Sequence, residues 1–144
     1  MSFLSKRARA PESASWPAYV MALTAIFLGS VVQLATGEIP QSVAKTAPRW
    51  FDVVFAVASP IGALLILVAL YGIGPLVASL RVEQIGAVIT AAMGFSYWSA
   101  VAIYNAGLPQ AGATWLLGGF AAYCLYRAWE VQRVFRTARK QHTR

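Results

Sequence analysis

The sequence predicts an all-α, polytopic membrane protein of four transmembrane helices with a basic amphipathic C-terminal helical extension. Three observations lead there. Hydrophobic residues form 58% of the 144 positions and charged residues 12%, with a mean hydropathy of +0.59; about a quarter of a water-soluble domain is charged. The apolar residues gather into four long runs, and roughly 20 of them cross a ~30 Å hydrocarbon core. Finally, the basic residues are distributed unevenly between the segments that join those runs.

The first 15 residues form a basic tail carrying Lys6, Arg7 and Arg9. Span one, WPAYVMALTAIFLGSVVQLA (16–35), is longer than a secretory-signal core and is expected to stay in the membrane. Its Trp16 and Tyr19 suit a headgroup boundary. Span two, VVFAVASPIGALLILVALYG (53–72), holds Pro60 near its middle, where the missing N–H frees a carbonyl and a bend is expected. Span three has its fully apolar part at 85–104, although helix can begin as early as Pro75, which would set Arg81, Glu83 and Gln84 at the membrane boundary. Span four covers about 111–125 and closes a 16–125 bundle; residues 126–144 form the basic tail that begins YRAWEVQRVFRTARK. The connections are short and marked by Pro40, Pro48 and the AGLPQ turn.

Four spans put both termini on one side. That side holds ten basic residues, Lys6, Arg7, Arg9, Arg81, Arg127, Arg133, Arg136, Arg139, Lys140 and Arg144, against Lys45 and Arg49 on the other. Basic residues are retained on the cytoplasmic side, so both termini are expected in the cytoplasm of a bacterial inner membrane. The net charge of +7 is then explained by topology and anionic headgroups, without a nucleic-acid partner.

Catalysis has little to work with. Cys124 and His142 are single, and the acids Glu12, Glu38, Asp52, Glu83 and Glu130 are dispersed. No phosphate loop, zinc motif or nucleophile elbow occurs, so no catalytic, metal or cofactor-binding residue is expected. Hydroxyls within the spans, such as Ser59, Thr90 and Thr114, are read as satisfying nearby helix carbonyls.

Three groups of residues stand out. Gly86, Thr90 and Gly94 recur every fourth position on span three, and Gly118, Gly119 and Ala122 form a similar smooth stripe on span four. Such stripes allow close helix approach, within one chain or between copies. Among the boundary charges, Glu83 either sits in interfacial water or pairs with Arg81 or Arg127, while Arg49 and Asp52 are spaced to pair across one helical turn. In the tail, Val131, Val134, Phe135 and Ala138 share a face opposite Arg133, Arg136, Arg139 and Lys140. A basic amphipathic helix lying on anionic lipid is the expected form, with docking of its apolar face on another subunit as the alternative.

The basic N-tail, the IPQSV and PRWFD outer loop, the LYGIG…LRVEQIG junction and the exit YRAWEVQR together resemble small four-span membrane proteins encoded by phages of actinobacteria, some of them holin-like. That resemblance implies a protein that accumulates in the inner membrane, oligomerises and permeabilises it so that a lytic enzyme reaches the cell wall. A structural or assembly subunit of a membrane complex or virion is the competing expectation, and a small transporter a third.

Overall fold

A computed structural model describes residues 16–71 and 75–142, with side chains described for 17–71, 75 and 77–136. The tail at 1–15, Gly72, the side chains of Ala138, Arg139 and Lys140, and Arg144 lie outside that description. All described regular structure is helical: α1 (Trp16–Thr36), α2 (Gln41–Thr46), α3 (Arg49–Leu70), α4 (Leu76–Tyr104) and α5 (Gly112–His142). Three of these, over Pro17–Thr36, Arg49–Leu70 and Val77–Tyr104, are long and apolar enough to cross a membrane. Their outward faces show residues such as Leu28, Val57, Leu64, Val88 and Ile103 to the surroundings. Lipid accepts such a surface, whereas a water-soluble monomer rarely presents one this extensive.

The helix ends follow local chemistry. Gly37 takes φ +69° just after α1, a left-handed conformation that glycine adopts at little cost. α2 is a short helix inside the α1–α3 connection, where the sequence predicts only a loop; its Val43 is fully buried. Val43 packs with Phe55 and Ala100, fastening the loop to the ends of α3 and α4. Ser79 donates a hydrogen bond to the Ala69 carbonyl at 2.5 Å, satisfying an acceptor near the end of α3. At the end of α4, Gly107 N–H donates to the Ala102 carbonyl and Ala106 N–H to that of Ile103, with Ala106 at φ +50°. This pair of bonds is a Schellman cap with alanine in the position that glycine usually fills.

α1 packs on α3, α3 on α4 and α4 on α5, while α2 lies against α4 and α3. α1 also reaches α5 through Tyr19, whose ring lies 5.9 Å from Phe120 and 5.2 Å from Tyr123. Tyr19 is 3% exposed and belongs to the core with Leu23, Ala63, Ile66, Ala87 and Cys124. Its side chain turns into the bundle: α1 needs a large side chain to bridge to α5, and Tyr19 supplies it.

Close contacts explain the small residues. A Cβ added at Gly86 would stand 2.8 Å from the Gly62 carbonyl oxygen, and one at Gly62 would stand 2.7 Å from Thr90 Oγ1. α3 and α4 thus touch backbone to backbone. A Cβ at Gly94 would meet the Cβ of Ala121 at 2.8 Å, and one at Gly118 would meet the Trp98 ring at 2.9 Å. These positions join α4 to α5. Gly119 has nothing within 4 Å of such an atom, and both it and Ala122 face outward.

α4 begins at Leu76, so of the starts the sequence allows it takes the early one, just after Pro75 and about two and a half turns before the fully apolar stretch. α5 then continues without a break into the basic tail, and its Val131 packs with Phe135 on Leu80 of α4. The tail is thus the continuation of α5, with part of its apolar face against α4. The early start of α4 provides the partner for its apolar face.

Candidate functional site

The bundle has two polar regions, one at each end. At the end that bears the tail, α4 contributes Glu83 and α5 contributes Arg127 and Glu130. Arg127 Nε donates to Glu83 Oε1 at 2.6 Å, and Nη2 donates to Oε2 at 3.4 Å. Nη1 donates to Glu130 Oε2 at 2.7 Å. Glu83 and Arg127 have side chains 5% and 13% exposed, whereas Glu130 is 44% exposed. Glu83 in interfacial water is thereby overturned in favour of its other expected state, an ion pair with Arg127. Its alternative partner Arg81 turns elsewhere, its guanidinium lying 5.7 Å from the Phe135 ring centroid.

The fork of the guanidinium explains the choice of arginine. It is planar and always charged, so it can hold two carboxylates at once where an ammonium could not match both. The opposing charge also makes burial of Glu83 tolerable, since an unpaired carboxylate in a low-dielectric interior is very costly. With both its oxygens held by the Arg127 guanidinium, Glu83 acts as a strut between α4 and α5. Arg133 extends the arrangement by standing 5.6 Å over the Trp129 ring.

The remaining expected sites divide. Among the described residues Arg49 and Asp52 form no ion pair, and Asp52 Oδ1 is buried without a hydrogen-bond partner. Both occupy the first turn of α3, where the exposed Arg49 is free to extend outward and Asp52 favours the helix N-terminus. Gly86, Thr90, Gly94 and Gly118 serve contacts within the chain; Gly119 and Ala122 do not. In the tail, Val131 is buried, Val134 and Phe135 are half-buried, and Arg133 and Arg136 are exposed.

At the loop end a cavity of about 370 Å³ lies between the helices, bordered by Ser30, Gln33, Ser59, Thr90 and Thr114. Ser59 donates to the Phe55 carbonyl at 2.8 Å, as expected of a hydroxyl in a span. Thr90 Oγ1 does not conform, being buried with no hydrogen-bond partner among the described residues. Taken one by one along the sequence, these hydroxyls are packing devices. Their convergence from four helices depends on register between helices, for which the sequence has no local signal. No family model, curated protein or solved structure matches the chain.

Proposed function

We propose that this chain is a small non-enzymatic, four-span protein of a bacterial inner membrane that self-associates and permeabilises that membrane, in the manner of holins. The observation that supports this best is the division among its small residues. Those on α4 are consumed by α3 and α5, while Gly119 and Ala122 leave a smooth outward strip on α5. In lipid a helix gains little from apolar area alone, and small residues that admit close backbone approach drive association.

The fourth crossing is part of the proposal. Residues 112–125 alone would reach only about 21 Å at ~1.5 Å per residue, short of a ~30 Å core. Including residues through Trp129 lengthens the segment to about 27 Å, but embeds Arg127. Pairing with Glu83 and Glu130 offsets that charge, so the helix can cross despite its weaker hydropathy. Both termini then lie in the cytoplasm, where the basic tail meets anionic headgroups.

Inducible expression tests the role. Membrane potential, followed with a voltage-sensitive dye, should collapse abruptly after a delay, and sooner when an energy poison is added. Gly119→Leu should change that delay while the protein still accumulates in the membrane. Sustained growth at full expression contradicts the proposal. The same strip would also serve an assembly subunit of a membrane complex or virion, in which case mild-detergent purification from the native host yields fixed partners of other sequence.

A further inference from the structure

The loop-end cavity has a chemistry of its own. Ser30 is 7% exposed, Thr90 5% and Thr114 4%, and each comes from a different helix. Ser59 gives its hydrogen to Phe55, which leaves its oxygen able to accept. Around this ring of hydroxyls the wall is apolar, with Phe55, Met93, Leu117 and Phe120. No acidic or basic residue lines it among the described residues. A charged ligand would therefore be stripped of water without a counter-charge, which disfavours it by many kcal/mol. A purely apolar ligand would displace water from Ser30, Gln33, Ser59 and Thr114 without replacing its hydrogen bonds. An uncharged molecule with one hydrogen-bonding head and an apolar body matches both parts of the wall.

Size and access narrow the class. The volume of about 370 Å³ equals roughly a dozen waters of liquid and falls at the small end of ligand pockets. The cavity lies along the seam between α1 and α5, with Gly29 and Gln33 on one side and Ala113 and Leu117 on the other. At Gly29 the seam is open, because a Cβ there would have nothing within 4 Å. A molecule dissolved in lipid can enter sideways there without crossing water. We infer that the loop-end cavity is a binding site for an uncharged, lipid-soluble amphiphile of about a dozen heavy atoms with a hydroxyl or carbonyl head. A medium-chain alcohol represents the class, and the site is independent of the permeabilising role.

The full chain, reconstituted in phosphatidylcholine nanodiscs, is irradiated with a diazirine-bearing octanol and mapped by mass spectrometry. Labelling should saturate, concentrate in peptides containing residues 25–33 and 113–121, and be displaced by 1-octanol much better than by octane or octanoate. Ser30→Ala and Thr114→Val each remove a hydroxyl from the wall with little change of shape; each should weaken competition by 1-octanol about three- to tenfold. Gly29→Phe should abolish the focused labelling with helicity unchanged, by filling the seam. Labelling that never saturates, spreads over the lipid-facing residues or responds equally to octane overturns the site. Undiminished competition in both Ser30→Ala and Thr114→Val overturns it as well, even if Gly29→Phe fails to fold.

Discussion

Glu83 shows how much one side chain depends on another. Removing either member of a buried pair leaves a charge without compensation, so Glu83→Ala or Arg127→Ala is expected to destabilise the bundle by about 3–5 kcal/mol. Glu130 keeps a contact to Arg127, which places Glu83→Ala toward the lower end. The double variant Glu83→Met/Arg127→Met should cost far less than the two single changes together, because no isolated charge remains. Unfolding by SDS in bicelles, followed by circular dichroism, measures all three. The sequence raised this pair as one of two states of Glu83, but choosing between them needed to know that α4 starts at Leu76 and carries Glu83 into the interior. Ala106 makes a related point. A glycine stands next to it in AGLPQ, yet the left-handed residue is the alanine at φ +50°. Ala106→Gly should stabilise the protein by about 0.5–1 kcal/mol in the same assay, by relieving that strain.

Among the elements, α4 organises the others. Its Gly86 side meets α3, its Gly94 side meets α5, and its first turns receive the tail through Leu80. Gly86→Leu or Gly94→Leu should therefore prevent native packing, because the added carbons would overlap the Gly62 carbonyl or Ala121. Gly119→Leu should leave the stability of the monomer within about 0.5 kcal/mol, since nothing occupies that space. Monodispersity in detergent and thermal unfolding separate these outcomes. The stripes themselves were legible as four-residue spacing. Their assignment to inner or outer faces was not, because spacing identifies a face without saying what covers it. Hydropathy located the apolar bodies of the helices well and their ends less well: α4 starts within a charged segment, and α5 passes its apolar limit into the tail. In both places tertiary contacts support turns that composition alone would leave outside. Val131→Asp should free the tail from Leu80, and limited trypsin digestion should then cut at Arg133 and Arg136 sooner than in the parent protein.

For the molecule as a whole, polarity is sorted along the bundle axis. One end carries the Glu83–Arg127–Glu130 cluster and the basic tail, and the other carries α2 and the hydroxyl-lined cavity. The middle is tightly packed around Leu23, Ala63, Ile66 and Ala91. The all-helical class and the three helices apolar enough to cross follow from composition and run length. The fourth crossing proposed for α5 rests on charge neutralisation, a property of two helices together. A bundle that crosses four times places the α2 connection and the 105–111 turn outside, and the tail inside with the N-terminus. Thiol accessibility in intact cells and inverted vesicles tests this most directly, using Gln41→Cys, Gln110→Cys and Gln132→Cys in a Cys124→Ala background. The four-span bundle predicts that a membrane-impermeant maleimide labels positions 41 and 110 only from outside and position 132 only from inside. Labelling of positions 110 and 132 from the same side would contradict it, because α5 would then not cross the membrane.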